Sequence, residues 1–507
     1  MDQRLTGPEE RRPVRAAPPS ETTGAAAEGL AALEARVRRD LASLNLPPAN
    51  WPARIPGPDG SDALDVLVVG AGMLGIAAAA ALIHKGVRHL ELVDRALPGR
   101  EGPWMTFARM ETLRSPKHLT GPALGIPSLT FRAWYEAREG EAGWDALYKI
   151  PNAVWASYLA WLSKVLALPV THETEVTAVE PAGDVLAVSL SGPAGARKRF
   201  ARHLVLASGR GGAGGGHVPD FVDRSLFPDL AGHTGDAIDF RALPGRHVAV
   251  LGGGASAWDN AATALEAGAA SVTMYVRRTV LPQVNKSRGT AHPGWYHGWE
   301  ALDDAQKWAI SVYLEDLQAP PPHETVNRTV RHDQFRLRFG SQITSARRVG
   351  GAVRLAIGDQ GDEEWADFLV VGTGYRVDLE ATPELRAVAP FAETWGDRYQ
   401  PPEALRRPAL AHYPYLGPAF ELTERVPGAC PSLSRIHLFN YAAHLSHRQL
   451  SGDIPGVEVG AEKLSTGLAQ ALFREDIDHL RRGLEAFAEP ELESTPFFDP
   501  QTVRGGL

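Results

Sequence analysis

Glycines in two short segments have the spacing of nucleotide-binding loops. In the first segment, Gly70, Gly72 and Gly75 form the pattern G-x-G-x-x-G between the apolar run Asp65 to Val69 and an Ala-rich stretch. After a strand, the first glycine of this pattern permits a tight turn, the second lets the backbone approach a pyrophosphate, and the third lets a helix pack closely on the strand. The free amides at the start of that helix then face the phosphates. The segment therefore predicts a dinucleotide site.

Asp94 supplies the acid that accompanies such a loop. It closes the next apolar run, His89 to Val93, where the motif calls for a carboxylate roughly 20 residues beyond its glycines. A carboxylate at this place can accept hydrogen bonds from both ribose hydroxyls. We predict that Asp94 binds the dinucleotide together with the loop; a surface or capping role is the alternative.

A second loop repeats the pattern with one change. Gly252, Gly254 and Ala257 form G-x-G-x-x-A after the apolar run His247 to Leu251. We expect the methyl group of Ala257 to hold the following helix slightly away from the strand. This segment predicts a second dinucleotide site.

The strand after the second loop ends in two arginines where the first has an acid. Arg277 and Arg278 follow the run Ser271 to Val276, and no carboxylate stands there. A guanidinium can bind a ribose 2′-phosphate through two parallel hydrogen bonds. We predict NADPH rather than NADH, bound by Arg277 or Arg278; a solvated basic strand end is the alternative.

Each loop lies in a β-α-β segment, and the two segments predict an α/β fold with two nested Rossmann-like dinucleotide-binding domains. A further strand, Phe368 to Val371, ends in Gly372-Thr373-Gly374-Tyr375 and is expected to return the chain to the first domain. Between Val280 and Ser341 the alternation of strand and helix patterns stops, and we predict a helical insertion. Its aromatic residues form either core or a substrate wall; they are Trp295, Tyr296, Trp299, Trp308 and Tyr313.

These observations divide the chain into six predicted parts. They are a disordered leader (1–27), an N-terminal helix and linker (28–62), a first part of the first nucleotide domain (63–241), the NAD(P)H-binding domain (242–365) with its helical insertion (280–341), a second part of the first domain (366–470), and a C-terminal helical tail (471–507).

The composition limits the classes of partner. The 507 residues carry a formal net charge of −8, which gives no electrostatic reason to expect nucleic acid. No run approaches the ~20 apolar residues of a membrane-spanning helix. The single cysteine, Cys430, excludes an internal disulfide framework and a thiolate-rich metal site. We expect a cytoplasmic protein that binds a small molecule, with a homo-oligomer left open.

The order of four motifs resembles the class B flavoprotein monooxygenases, the flavin-containing monooxygenase and N-hydroxylase group. The motifs are the loop Gly70 to Gly75, Leu206-Ala207-Ser208-Gly209, the loop Gly252 to Ala257, and Gly372-Thr373-Gly374-Tyr375, which looks like the group's A-T-G-Y signature with Gly in place of Ala. The resemblance spans roughly residues 63 to 470 and adds Gly374 to the cofactor-binding residues. It implies FAD at the first loop, NADPH at the second, and dioxygen activated as a flavin C4a-hydroperoxide.

Two related groups fit less well. Disulfide reductases also nest two such units, but they need a redox pair of cysteines, and the chain has one. The Baeyer–Villiger fingerprint F-x-G-x-x-x-H-x-x-x-W is not matched by Phe227-Pro228-Asp229-Leu230-Ala231-Gly232-His233-Thr234. Ketone oxygenation is therefore a lesser alternative.

Two further segments look like a bacterial branch of the group that includes nitrosuccinate-forming aspartate N-monooxygenases and an FAD-dependent urate hydroxylase. They run from Thr112 to Pro122 and from Phe439 to Pro455. The leading hypothesis from this resemblance is N-hydroxylation of a small amine or amino acid, most specifically aspartate. Hydroxylation of urate or another purine, Baeyer–Villiger-type oxygenation, NADPH oxidase activity and a non-enzymatic FAD-binding sensor are the alternatives.

Candidate site residues follow from this chemistry. Asn440 and Asp453 are the catalytic candidates near the flavin, with turn or cap roles as the alternative. For a substrate carboxylate we expect cations after the first dinucleotide strand or after the second unit: Arg109, Arg114, Lys117 and His118, or Lys286, Arg288 and His292. No metal is predicted, because His444 and His447 lack a carboxylate at ligand spacing.

Overall fold

Continuous apolar runs that end in glycine become the central strands of two sheets. The computed structural model describes residues 24–358 and 361–500. Its α-helices are α1 (Gly24–Ser43), α2 (Met73–His84), α3 (Phe131–Ala146), α4 (Asn152–Val165), α5 (Ala255–Glu266), α6 (Pro293–Gly298), α7 (Asp304–Leu317), α8 (His323–Val330), α9 (Trp395–Arg398), α10 (Pro408–Ala411), α11 (His444–His447), α12 (Val457–Glu475) and α13 (Ile477–Ala486).

The strands are β1 (Ile55–Pro56), β2 (Asp62–Val69), β3 (Leu90–Val93), β4 (Val170–Thr171), β5 (Glu175–Ala182), β6 (Val185–Gly192), β7 (Gly195–Leu206), β8 (Ala231–His233), β9 (His247–Leu251), β10 (Ser271–Val276), β11 (Phe335–Phe339), β12 (Ile343–Val349), β13 (Ala352–Ile357), β14 (Asp362–Ala366), β15 (Phe368–Val371) and β16 (Ile436–His437).

The first sheet carries the first glycine loop. Its strand order is β4-β3-β2-β7-β6-β5, with β1 on β2 and β16 on β7. β2 runs parallel to β3 and to β7, so their carboxyl ends lie at one edge. The residues from Ala63 to Val68 in β2 are all buried, as expected for a parallel strand covered on both faces. The small side chains of α2 are buried as well, and α12 packs against this helix.

The second sheet carries the second glycine loop and contains only parallel strands, in the order β11-β10-β9-β15-β8. A separate antiparallel sheet, β12-β13-β14, precedes β15. The α/β fold with two Rossmann-like units that the sequence predicts is confirmed by this arrangement.

The strand Phe368 to Val371 belongs to the second sheet, and the chain returns to the first domain only after it, where Val377 and Leu379 join the core of the first sheet. β15 lies between β9 and β8 in the second sheet, with Leu369 opposite both Ala249 and Ala231. β8 also belongs to this sheet, although it falls within the predicted first part (63–241). An apolar run indicates burial on both faces but does not specify which strands lie beside it.

The predicted helical insertion holds three helices, α6, α7 and α8, but it ends earlier than residue 341. β11 follows them and pairs with β10 in register, Val272 opposite Phe335. The aromatic cluster of this segment is divided: Trp299 and Trp308 are buried, whereas Tyr313 is more than half exposed. Trp308 packs against Trp395, with ring centroids 6.3 Å apart.

Both ends of the chain differ from the predicted boundaries. α1 begins at Gly24, so the last four residues of the predicted leader are helical, and residues 1–23 lie outside the described part. In the predicted helical tail, α13 ends at Ala486. Residues 487–499 form turns and irregular structure, and 501–507 are not described. None of the described helices is long and apolar enough to cross a membrane.

Candidate active site

The first glycine loop is shaped by close backbone approaches. Gly70 has a φ of +103°, and a Cβ there would lie 2.7 Å from the carbonyl oxygen of Ala207. A Cβ on Gly75 would overlap the carbonyl oxygen of Gly70. Gly72 is the N-cap of α2 and provides no side-chain cap, so the amides of the first turn remain available. These features fit the pyrophosphate of a dinucleotide.

Asp94 fastens this loop to the end of β3. Its Oδ2 accepts a hydrogen bond from the amide of Ala71 at 2.7 Å, and its Oδ1 accepts one from the amide of Ala96 at 2.8 Å. Each carboxylate oxygen has a second lone pair. Asp94 can therefore position the loop and accept hydrogen bonds from ribose hydroxyls at once.

The second loop has the same form. Gly252 has a φ of +115°, and a Cβ there would overlap the carbonyl oxygen of Gly372. Gly254 is the N-cap of α5, again without a side-chain cap, and a Cβ at Gly254 would have no protein atom within 4 Å. This open space next to free amides fits a second pyrophosphate.

The methyl group of Ala257 meets a glycine. A Cβ on Gly372 would lie 2.7 Å from the Cβ of Ala257, closer than two carbon atoms can pack. The methyl group therefore uses space that a side chain at 372 would need. Gly374, the predicted cofactor residue of the same segment, has a φ of +81°, and its carbonyl accepts hydrogen bonds from His217 and His233.

The two arginines after β10 have different surroundings. Arg278 donates from Nη2 to the carbonyl of Asp316 at 2.9 Å, at the end of α7. Arg277 is exposed, and no residue in the described part of the chain pairs with its side chain. The structure leaves the guanidinium of Arg277 available for a 2′-phosphate.

Three of the predicted substrate cations already have protein partners. Arg109 donates to the carbonyls of Thr106 and, at 3.3 Å, Ile238, and its guanidinium carbon lies 5.1 Å from the ring centre of Phe240. Burial lowers the pKa of Arg109.

Arg114 forms an ion pair of 2.7 Å with the buried Asp259 of α5, and Lys117 donates to the carbonyl of Trp144 at 2.7 Å. His118 is exposed and contacts the ring of Trp144. The contacts of Arg114 and Lys117 are with residues far away along the chain, so residue spacing could not reveal them. The remaining candidates are Lys286 and Arg288, which are exposed on the turn Lys286–Thr290 without a side-chain partner among the described residues, and the exposed His292.

The two catalytic candidates lie on one segment but differ in exposure. Asn440 is fully buried; its Oδ1 accepts from the amide of Ala442 at 2.9 Å, and its Nδ2 donates to Ser208 Oγ at 3.2 Å. Asp453 is exposed and lies 3.6 Å from Arg210. Asn440 thus ties its segment to the end of β7, whereas Asp453 faces solvent and a cation.

Residue spacing does not single out Arg448, which the fold places beside His444 and His447. It is 6% exposed, and its Nη1 donates to His444 Nε2 at 2.6 Å. The ring of His444 stacks on Tyr441 at 5.3 Å. Burial lowers the pKa of His444 well below its ordinary value. His447 contacts the carbonyl of Gly417 through Nε2, and burial lowers its pKa to about 3.

Arg210 and Tyr413 complete a group around Tyr441. Arg210 lies 5.3 Å from the ring centre of Tyr441, and the Tyr413 ring lies 6.4 Å from it. Burial raises the pKa of Tyr413. We call Arg210, Tyr413, Tyr441, His444 and Arg448 the arginine–tyrosine cluster. Since Arg210 follows the carboxyl end of β7, the cluster lies at the sheet edge where open α/β sheets bind ligands.

Fold and loops together define an oxidoreductase with two adjoining dinucleotide-binding units. Residues 67–292 match the family described as pyridine nucleotide-disulphide oxidoreductase. The chain is 38% identical over 451 residues to the FAD-dependent urate hydroxylase of Xanthomonas campestris pv. campestris, covering 88% of this chain and 94% of that protein.

Solved structures have the same fold. The ornithine hydroxylase of Pseudomonas aeruginosa is 17% identical with a TM-score of 0.64, over 81% of this chain and all of that one. The ornithine N-hydroxylase of Kutzneria sp. 744 is 16% identical with a TM-score of 0.63, over 81% of this chain and 99% of that one.

The chain belongs to the class B flavoprotein monooxygenases. This membership confirms the enzyme class and the dependence on FAD expected from the resemblance, whereas NADPH at the second loop stays a prediction. Within the described residues, no group of three His, Cys, Asp or Glu side chains could hold a metal ion.

Proposed function

We propose that the protein hydroxylates urate or a closely related oxidised purine, using FAD, NADPH and dioxygen. The similarity over nearly the whole length of a urate hydroxylase carries this proposal. One oxygen atom of O₂ enters the purine as a hydroxyl group. NADPH supplies two electrons, and with one proton from solvent the other oxygen atom leaves as water.

The residues of the two loops have distinct tasks in this reaction. Gly70, Gly72 and Asp94 would hold the FAD pyrophosphate and ribose, and FAD when bound would supply the chemistry that activates dioxygen. Gly254 and Arg277 would hold the pyrophosphate and 2′-phosphate of NADPH. The protein otherwise orients the substrate and excludes water.

Three of the predicted cations are not free to bind the carboxylates of aspartate. Aspartate has two carboxylates, and burying both requires positively charged or hydrogen-bonding partners. Arg109, Arg114 and Lys117 were the candidates after the first dinucleotide strand, and all three are engaged within the protein. Within the described part of the chain, Lys286 and Arg288 remain free for a carboxylate, so N-hydroxylation of aspartate, the leading hypothesis from sequence, stays the alternative, and the preference for urate rests on the similarity to the urate hydroxylase.

A substrate screen tests the proposal. FAD-loaded enzyme is mixed with NADPH and urate, xanthine, aspartate, ornithine or lysine, and NADPH oxidation, substrate loss and hydrogen peroxide are measured together. We expect urate to accelerate NADPH oxidation and to disappear in proportion to it, with little peroxide. Acceleration by aspartate with formation of an N-oxidised product, but none by urate, would contradict the proposal. Peroxide formation with every compound and no loss of substrate would indicate an oxidase.

A further inference from the structure

Among the residues that the structure describes, two arginines are almost completely buried, and they differ in their partners. Arg202, 2% exposed, forms ion pairs with Glu475 at 2.9 Å and with Asp476 at 2.8 Å, and Asp65 lies 3.6 Å away. Arg448, 6% exposed, has no carboxylate within 4 Å among the described residues. A buried charge without a counter-ion is costly, and native proteins pair such groups. Arg448 lacks the compensation that Arg202 has.

The one side-chain acceptor of Arg448 does not neutralise its charge. An arginine side chain has only donors, so Nε2 of His444 is the acceptor of this 2.6 Å hydrogen bond and the imidazole is neutral. Burial, which lowers the pKa of His444, keeps it in that state. The Nε atom of Arg448 is buried and has no hydrogen-bond partner. The histidine therefore orients the guanidinium and leaves its charge and part of its donor set available.

The backbone at Arg448 is also unusual. Its φ of +55° lies in the left-handed region, which residues other than glycine adopt only at a cost in free energy. Trp299 lies against the guanidinium, with the Arg448 guanidinium carbon 5.7 Å from the ring centre, and the Trp299 indole is fixed by a hydrogen bond to the carbonyl of Leu445. The fold thus holds this side chain in place despite the strain.

We infer that Arg448 is the anion-binding residue of the substrate site, where its guanidinium binds a planar, negatively charged nitrogen heterocycle. This inference rests on the proposed function, because urate is such an anion near neutral pH. Its ring presents a carbonyl oxygen next to a nitrogen, a pair of acceptors that suits the parallel donors of a guanidinium. The flat ring of Trp299 lies beside the cation, and that of Tyr441 stacks on the His444 ring that orients it, which suits a flat ligand.

Arg448 and Arg210 differ in burial and in pairing, so we assign them different roles. The Arg210 side chain is 58% exposed and pairs with Asp453 at 3.6 Å, so its charge is partly compensated and open to water. Asp453 contributes to the electrostatic environment of Arg448 but does not pair with it. Arg448 is the member of the cluster that has both burial and an uncompensated charge.

The reduced flavin is also a planar ring with negative charge, on its pyrimidine edge, and Arg448 would suit it as well. The experiment therefore distinguishes urate from the flavin as the ligand of Arg448. Urate binding to the oxidised, FAD-loaded enzyme is measured without NADPH, from the change in flavin absorbance. Wild type is compared with Arg448→Met and Arg448→Lys, and with Arg425→Gln, which removes an exposed cation paired with Asp397. Fully N-methylated urate, which cannot ionise, is the neutral probe.

We expect Arg448→Met to weaken urate binding about 10- to 100-fold, the effect of losing a hydrogen bond between charged groups. Binding of the N-methylated probe should change little, and Arg448→Lys should lie between wild type and Arg448→Met. In turnover, KM for urate should rise by a similar factor with a smaller change in kcat. Arg425→Gln should resemble wild type.

Three outcomes would overturn this inference. If Arg448→Met binds urate as wild type does while the flavin midpoint potential or the rate of its reduction by NADPH shifts, Arg448 serves the flavin. If both urate and the neutral probe lose affinity equally in Arg448→Lys, which keeps the charge and tests the site even where Arg448→Met fails to fold, the role is structural. If wild type itself neither binds nor oxidises urate, the proposed function is wrong and the urate assignment of Arg448 is wrong with it.

Discussion

The two dinucleotide loops differ in where they carry an alanine. In each loop the third motif position lies on the helix and faces the end of a neighbouring strand, and one of these two places has alanine while the other has glycine. The first loop has Gly75 on the helix, and Ala207 at the strand end whose carbonyl lies against Gly70. The second loop has Ala257 on the helix, and Gly372 at the strand end whose carbonyl lies against Gly252. The two strand ends therefore occupy corresponding places.

The contact between positions 257 and 372 connects two departures from the usual motifs. Ala257 stands where the pattern has a third glycine, and Gly372 stands where the A-T-G-Y signature has alanine. A methyl group on each would place two carbons 2.7 Å apart, so the second loop cannot carry both; a methyl group at 372 would also lie 2.9 Å from the carbonyl oxygen of Leu251. In the first loop the third glycine lies against the backbone of its own loop, so no neighbouring side chain could compensate for a methyl group.

The largest expected effect is that of Gly75→Ala. The new Cβ would overlap the carbonyl oxygen of Gly70, and relief requires α2 to move away from β2. We expect a loss of stability of about 3 kcal/mol or more, together with loss of FAD during purification. Thermal unfolding and the flavin-to-protein absorbance ratio measure both effects.

The matched control for Gly75→Ala is Ala257→Gly in the second loop. It removes a methyl group from a helix and should cost only about 1 kcal/mol, with FAD retained. Equal losses in the two variants would show that the loops are packed alike and would remove the distinction between them.

A smaller but specific effect is expected for Asp94→Asn. The carboxylate accepts hydrogen bonds from the amides of Ala71 and Ala96, and an amide side chain can accept through only one of its two terminal atoms. We expect FAD affinity to fall about 10- to 100-fold, corresponding to one or two lost charge-assisted hydrogen bonds. Titration of the apoprotein with FAD, followed by flavin fluorescence, gives the affinity. Arg277→Ala serves as the control, because it changes the other loop; unchanged FAD affinity in Asp94→Asn would contradict the assignment.

The pairing of Ala257 with Gly372 gives the sharpest test of the comparison. Gly372→Ala alone should cost about 1 to 3 kcal/mol, because the new methyl group collides with that of Ala257. Adding Ala257→Gly should recover part of this loss, because it removes the methyl group at 2.7 Å but leaves the carbonyl oxygen of Leu251 at 2.9 Å. Ala257→Gly is then less destabilising beside Gly372→Ala than alone, which a double-mutant cycle detects as a coupling free energy. Denaturant unfolding of the four proteins in the cycle measures the coupling. Strictly additive effects would show that the two positions do not share space.

The local elements were predictable because their sequences determine them. The runs His247 to Leu251, Ser271 to Val276 and Phe368 to Val371 are strands with the bounds read from the sequence, since short β-branched segments between turn residues have few alternatives. The partners of these strands were not predictable. Phe368 to Val371 is equally apolar in either sheet, and only the folded chain places it beside β9.

The same limit applies to the site. The glycine loops and Asp94 are found from spacing, because their geometry is local to one β-α-β segment. The state of Arg114 depends on Asp259, far away along the chain, so spacing could suggest a free cation where the structure has an ion pair. Arg448 lies within the segment Phe439 to Pro455, but nothing in the sequence singles it out; its burial without a counter-ion results from packing against Trp299 and His444, on which Tyr441 stacks.

The smallest expected effect concerns the strand ends after the two loops, where the first unit has Asp94 and the second has Arg277. No described residue pairs with the Arg277 side chain, whereas Arg278 binds the carbonyl of Asp316. Arg277→Ala should therefore raise KM for NADPH about tenfold and leave KM for NADH unchanged, because only NADPH carries the 2′-phosphate. Arg278→Ala should affect both nucleotides alike and weakly. Steady-state kinetics with each nucleotide at saturating substrate decides between the arginines: selective loss of NADPH in Arg278→Ala would exchange their roles, and no selective loss in either variant would show that this strand end is a solvated basic surface.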